Sequence, residues 1–212
     1  MIVAGTDFDG FKGIPPDEGT FAVAGFVLAG GRSSRMGKDK ALLTLAGEFL
    51  VVRALRKLRY VCSDVGIAGG AEELRCFGRV IPDEHPGSGP LGGIVAALGA
   101  SSFEWNLFLA VDAPFVPVPV LKTLLSMISG LPCVCVMART QGVMQPLCAL
   151  YSKKALEVLR KELVGGRWKV IKAIEAAGRV EIVDFENSAW FANLNTPQEF
   201  AEAEDHIDML DV

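Results

Sequence analysis

The chain has 212 residues, half of them apolar and 22% charged, which suits one globular domain with a full core and excludes a disordered chain or a small disulfide-stapled fold. Its net charge of −4 excludes a general attraction to nucleic acid or membrane, so a phosphate ligand must be held locally by clustered cations, backbone N–H groups or a metal. Every apolar stretch is interrupted by a charge, Gly or Pro before it reaches transmembrane length, and residues 1–25 lack the basic start and apolar run of a signal peptide, so a cytoplasmic protein is expected.

Residues 1–20, with Gly5, Gly10, Gly13, Pro15 and Pro16, read as an irregular extension, and 21–212 as a single domain. Phe21 to Leu28 is an apolar run ending at Gly30–Gly31 and predicts a buried strand. Leu50 to Leu58 has apolar residues at helical spacing, with Arg53, Arg56 and Lys57 on the other side. Val65 to Ala68 predicts a strand, Glu72 to Phe77 a short helix, and Val80–Ile81 a strand before the turn-rich loop Pro82 to Pro90. A small-residue helix over Gly92 to Ala100, a strand over Leu107 to Val111, a helix over Val118 to Ile128 and a strand over Cys133 to Met137 follow. Beyond them come a strand over Pro146 to Tyr151, helices over Ser152 to Leu163 and Lys169 to Ala177, and a strand over Val180 to Phe185. The last helix opens at Thr196-Pro197-Gln198-Glu199, with an N-cap, a proline at the first helical position and a capping-box glutamate.

Near-continuous apolar strands alternating with helices predict a three-layer α/β/α fold around a mostly parallel sheet. Ligands bind such sheets beyond the carboxyl ends of the strands. The five cysteines, Cys62, Cys76, Cys133, Cys135 and Cys148, form no C-x-x-C pair and read as reduced core thiols of a cytosolic protein; Cys133 and Cys135, two apart, are expected on one face of a strand.

The segment after the first strand is Leu28-Ala29-Gly30-Gly31-Arg32-Ser33-Ser34-Arg35-Met36-Gly37-Lys38-Asp39-Lys40. Paired glycines let the backbone turn sharply and bring N–H groups to a ligand, and Arg32, Arg35, Lys38 and Lys40 cluster positive charge there. That is a polyphosphate cradle in chemistry. It is not a Walker A loop, because Met36 stands before Gly37-Lys38 and Asp39 follows.

Gly87-Ser88-Gly89-Pro90-Leu91-Gly92 spells G-x-G-x-x-G, but Pro82 to Pro86 separates it from its strand and Pro90 lacks an N–H. It suits backbone approach to a flat base better than a dinucleotide turn. Asp112 ends a buried strand and Pro114 blocks its continuation, which suits a carboxylate holding Mg²⁺ alongside substrate phosphates; a turn-forming Asp is the bland reading. Asp83, after Val80–Ile81, has the same two readings: a partner for guanine N–H groups or the ribose, or a turn residue. Of the two histidines, His85 lies in the Pro-rich loop and His206 in the last helix, and no nucleophilic triad stands out. Phosphoryl-type transfer needs none, since positioning and charge neutralisation supply most of the acceleration.

These stretches, with Ile81-Pro82-Asp83, Gly89-Pro90-Leu91-Gly92-Gly93-Ile94, Asp112-Ala113-Pro114-Phe115, Gln145-Pro146-Leu147 and Asn193-Leu194-Asn195-Thr196-Pro197, resemble the molybdenum cofactor guanylyltransferase (MobA) family of Rossmann-like nucleotidyltransferases from about Phe26 onward. The resemblance implies transfer of GMP from GTP to molybdenum-loaded molybdopterin, with release of pyrophosphate and Mg²⁺ as cofactor. It implies nucleotide contacts from Leu28, Ala29, Gly30 and Gly31, phosphate contacts from Lys40, a nucleoside contact from Asp83 and metal ligation by Asp112. Arg35 and Lys40 would stabilise the departing pyrophosphate, with Asp112 the third catalytic residue, and Asn193 and Asn195 would face the second substrate. Other molybdenum cofactor biosynthesis proteins would be its partners. The family often has Asn after the second strand, where Ile67-Ala68-Gly69-Gly70 offers only backbone, so CTP or another phosphate acceptor is the alternative, and a non-catalytic nucleotide-binding protein the alternative of another class.

Overall fold

The structure, a computed structural model, describes residues 21–30, 39–128 and 132–205. The extension 1–20, the cradle residues Gly31, Arg32, Ser33, Ser34, Arg35 and Lys38, and His206 lie outside the described residues. In chain order the elements are β1 (Phe21–Leu28), β2 (Thr44–Leu45), β3 (Glu48–Phe49), α1 (Leu50–Arg59), β4 (Cys62–Ala68), β5 (Val80–Ile81), α2 (Pro90–Ala100), β6 (Trp105–Ala110), α3 (Val118–Ser126), β7 (Cys135–Thr140), β8 (Val143–Ser152), α4 (Leu156–Val164), α5 (Val170–Ala177), β9 (Val180–Phe185) and α6 (Pro197–Glu204). Single 3₁₀ turns punctuate them, among them Lys40–Leu42 and Glu72–Cys76.

Seven strands form one sheet in the order β5-β4-β1-β6-β8-β7-β9. β1 pairs in parallel with β4 and β6, β4 with β5, and β7 with β9, while β8 runs antiparallel to both its neighbours. The mostly parallel three-layer architecture is therefore as the sequence predicts. β1 shows why: alternate residues serve opposite cores, Val23 and Val27 on one face and Ala24, Phe26 and Leu28 on the other. One face is covered by α1 and α3, the other by α2, α4 and α5. Phe108 joins strands across the second face, stacked on Phe26 at 5.6 Å between centroids and edge-on to Tyr151 at 5.4 Å. Truncating such a fully buried ring costs about 3–5 kcal/mol.

Pro146 sits inside the antiparallel strand without disrupting it. Met137 pairs with Ala149 but Ala138 with Gln145, so β8 bulges over Pro146, Leu147 and Cys148, where β7 requires no N–H from the proline. The Tyr151 hydroxyl donates to the Pro146 carbonyl at 2.7 Å and fixes the bulge.

Four expectations are corrected. Cys76 is exposed and is no core thiol, unlike the other four cysteines. Arg53 and Lys57 do not lie on a solvated helix face; both are buried, and of the three cations there only Arg56 is partly exposed. Their i, i+4 spacing sets them in one stripe beside the apolar face, with their aliphatic stems packed and their heads turned to backbone carbonyls. Cys133 and Cys135 do not share a face, because β7 begins at Cys135; Cys133 precedes it and packs in the core under α3, while Cys135 packs in the opposite one. The β2–β3 hairpin, with Ala46 at φ 50° and Gly47 at φ 78° in its turn, lies where no strand was predicted.

Candidate active site

The carboxyl ends of β1, β4, β5 and β6 lie side by side, and their loops form one rim. Leu28 accepts a hydrogen bond from Val111 N–H at 3.1 Å, and Ala29 N–H donates to Ala68 at 3.1 Å, so the ends of β1, β4 and β6 are laced together. Leu28 and Ala29 are buried; Gly30 is the exposed member of the three. Gly69 packs against Gly30 so closely that a Cβ on Gly69 would come within 3.0 Å of the Gly30 Cα, and Gly69 lies at φ +71°. Two glycines thus let the first and second loops touch through backbone alone, which a side chain at position 69 would prevent.

Asp83 leaves β5 in an Asx turn, its Oδ1 accepting the His85 N–H at 2.8 Å. Both its carboxylate oxygens lie over Gly92 in the first turn of α2, where a Cβ would meet them at 2.5 Å. The buried Ser88 hydroxyl donates to the His85 carbonyl at 2.7 Å and lines the same spot. The G-x-G-x-x-G segment therefore serves to seat Asp83 against a helix start, in a loop that includes Gly87 and Gly89 at positive φ.

Lys40, Asp112 and Asn195 meet at the other end of the rim. The Asp39 carboxylate accepts the Ala41 N–H at 3.0 Å and caps the 3₁₀ turn Lys40–Leu42, whose Ala41 is fully buried. The turn presents the Lys40 ammonium 3.0 Å from Asp112 Oδ2 and 2.6 Å from Asn195 Oδ1. Asp112 is fixed through its backbone as well, its carbonyl accepting the Leu194 N–H at 2.8 Å. Leu194 is buried and both asparagines beside it are exposed: Asn195 joins Lys40, whereas Asn193 makes no hydrogen bond with a described residue.

Glu199 closes this corner. Its Oε2 accepts the N–H groups of Asn195 at 2.5 Å and Thr196 at 2.9 Å, while Thr196 caps the Glu199 N–H at 3.2 Å. The Asn195 N–H, then the Thr196 donors and the charge of Lys40, hold the Glu199 carboxyl below the usual glutamate range. The capping box was legible from the sequence, but its grip on Asn195 was not. The roles of Asp39 and Lys57 were also missed; an Asp two residues before a buried Ala was the available signal for the first.

No group of three or more His, Cys, Asp or Glu capable of caging a metal occurs among the described residues. Asp112 alone fits a hard cation that takes few protein carboxylates and completes its shell with phosphate oxygens and water, and the ammonium resting on it marks a position where positive charge is favoured. No helix among the described residues is long and apolar enough to cross a membrane.

The model of the MobA-like NTP transferase domain matches residues 25–179. A probable molybdenum cofactor guanylyltransferase of Pelotomaculum thermopropionicum is 38% identical over 188 residues, covering 84% of this chain and 90% of that protein. A molybdenum cofactor guanylyltransferase of Desulfosudis oleivorans is 34% identical, covering 86% and 95%. The crystal structure of molybdopterin-guanine dinucleotide biosynthesis protein A from Archaeoglobus fulgidus superposes with a TM-score of 0.75 at 26% identity, over 88% of this chain and 99% of that one.

Proposed function

Because the chain belongs to the family of MobA-like NTP transferase domains and is a nucleotidyltransferase, we propose that it transfers GMP from GTP to the phosphate of molybdenum-loaded molybdopterin. Supporting this choice of substrates are relatives named molybdenum cofactor guanylyltransferase at 38% and 34% identity. The observation that carries the mechanism is Lys40 bridging Asp112 and Asn195 at the carboxyl edge of the sheet.

A terminal phosphate oxygen of the pterin attacks the α-phosphorus of GTP. The new P–O bond forms as the bond to the β-phosphate oxygen breaks, and pyrophosphate leaves. The nucleophile is already ionised at neutral pH, so no general base is required. Gly30, with Gly31 beyond it, brings backbone to the phosphates, and Asp83 meets the guanine or the ribose. Lys40, with Arg35 of the same loop, balances charge on the pyrophosphate. Asn195, and Asn193 beside it, orient the acceptor. Asp112 would hold Mg²⁺, which when bound would supply charge neutralisation to the phosphates. The cytoplasm is the compartment we assign, since the five cysteines are free thiols.

The test supplies the purified protein with molybdenum-loaded molybdopterin, Mg²⁺ and either GTP, CTP or ATP. Pyrophosphate and a guanine dinucleotide product with GTP alone are expected. Turnover with CTP in its place would move the protein to a cytidylyltransferase, a reading that the side-chain-free Gly69-Gly70 edge keeps relevant.

A further inference from the structure

We infer that Lys57, a residue outside the rim, is a positioning residue for Asp112. The inference rests on the proposed role of Asp112 as metal ligand.

Lys57 lies in α1 and is 3% exposed. Burying an ammonium is unfavourable unless its N–H groups find acceptors. Its Nζ crosses from α1 to donate to two carbonyls of one loop, that of Pro114 and, at 2.8 Å, that of Val116. This is the loop that leaves β6 immediately after Asp112 and leads to α3.

Burial of Ala113, Phe115 and Val116 and a hydrogen bond from Ala113 N–H to the Ala110 carbonyl at 3.2 Å also hold the loop, but its other polar ties are few. Pro114 has no N–H, and the turn closed by Val116 N–H on Ala113 is long at 3.4 Å. The Asp112 carbonyl is tied to Leu194 on one side. Lys57 fixes the chain two residues further on. Lys40 meets the Asp112 carboxylate itself, and the two ties fix the backbone from which that carboxylate projects. A charged donor gathering two carbonyls of one short turn is a strong, directional strap. A displacement of about 1 Å in a group that orients a reacting phosphate costs on the order of a hundredfold in rate, so a strap two residues from Asp112 is close enough to matter.

A purely structural lysine would lower stability and leave metal binding alone. The experiment therefore measures Mn²⁺ binding to the GTP complex by electron paramagnetic resonance, turnover, and melting temperature. The variants are Lys57→Met, which keeps most of the apolar stem and loses the donors, and Lys57→Gln, of similar reach to Met, which keeps an amide NH2 donor. Both are also placed in the Asp112→Asn background. The expectation for Lys57→Met is roughly tenfold weaker Mn²⁺ binding and at least tenfold slower turnover, with less than about a twofold further effect once Asp112 is Asn, because residues acting through one another are not additive. Lys57→Gln should fall between wild type and Met. Equal fractional losses in the two backgrounds, or a lower melting temperature with unchanged Mn²⁺ affinity, would overturn the inference. So would failure of both variants to fold, which would make Lys57 a determinant of the whole domain. If Asp112→Asn itself binds Mn²⁺ and turns over as wild type, the metal reading falls and this inference with it; if Asp112→Asn is impaired and Lys57→Met is not, this inference falls alone.

Discussion

Lys40 and Asp112 form an ion pair at 3.0 Å, each with about a fifth of its side chain exposed, so one carboxylate serves both a lysine and any cation that comes to it. If Asp112 holds the metal and Lys40 the phosphates, as proposed, the two would compete until a triphosphate drew the lysine away. Lys40→Ala should then act with opposite signs on two ligands. GTP binding should weaken by about 1.5–3 kcal/mol, the worth of a charge-assisted contact. Mn²⁺ binding without nucleotide should tighten a few-fold, since a partly exposed pair is worth up to about 1 kcal/mol. Calorimetry for GTP and electron paramagnetic resonance for Mn²⁺ check both; a variant that weakens for both ligands contradicts the competition.

Asp112→Asn keeps the shape of the side chain and removes the charge. Turnover should fall at least about a hundredfold, or 2.7 kcal/mol of barrier, with a modest change in melting temperature. Pyrophosphate release measured as Mg²⁺ is titrated decides this. Wild-type turnover at the same Mg²⁺ concentration would remove Asp112 from the metal site.

Asn195→Ala deletes the amide that receives the Lys40 ammonium. A hydrogen bond to a charged group is worth about 1.5 kcal/mol, so product formation should drop about tenfold, with a smaller change in GTP affinity. Equal losses in GTP affinity and turnover would place Asn195 on the nucleotide. Asn193→Ala, at an exposed side chain outside this cluster, is expected to show the smaller loss unless the acceptor reaches it directly.

Glu199 gives the corner a pH dependence. Its folded carboxyl titrates below the unfolded one, chiefly because of the Asn195 N–H. The contribution of the capping box is therefore complete above the ordinary glutamate pKa of about 4.3 and is lost as pH falls through the lower folded value. Glu199→Gln should remove that acid-side dependence from the Asn195 amide signal in nuclear magnetic resonance. An Asn195 signal with the same acid titration in the variant would assign the titration to another group.

The cysteines give a test of the core. Cys76 is exposed, whereas Cys62, Cys133, Cys135 and Cys148 are buried. Burial pushes the Cys148 thiol up to about 12 and the Cys62 and Cys135 thiols upward too. At pH 8 a thiol titrating at 12 carries roughly a thousandfold less thiolate than a free one at about 8.5. A disulfide reagent should find one fast thiol in the native protein, and Cys76→Ser should abolish the fast phase. Fast modification of three or more would show that the core opens readily.

Most of the sheet was readable because its strands are continuous apolar runs, and the α6 start because Thr196 and Glu199 spell a capping box. What was missed shares one physical cause. The β2–β3 turn places Ala46 at positive φ, where local signals look for Asn, Asp or Gly, so tertiary packing overrides the residue preference. Lys57 and Arg53 read as solvated because charge pattern reports side-chain type and not the reach of a long stem toward carbonyls of a distant loop. The rim residues at strand ends were legible singly. Their meeting was not, because Lys40 and Asn195 stand 155 positions apart.

That separation bears on how the protein is made. Loop closure must be paid before so distant a contact can form, and the cluster waits on every strand from β1 to β9. During synthesis β1, β4, β5 and β6 leave the ribosome long before residue 195 does. A nascent chain that has formed those strands still lacks the Lys40–Asn195 contact, so on the proposed function competence for group transfer would arrive only as the last helix is capped. Weakening the Lys40–Asn195 contact should then speed unfolding and leave the folding rate almost untouched if it forms after the transition state, and slow folding if it forms before.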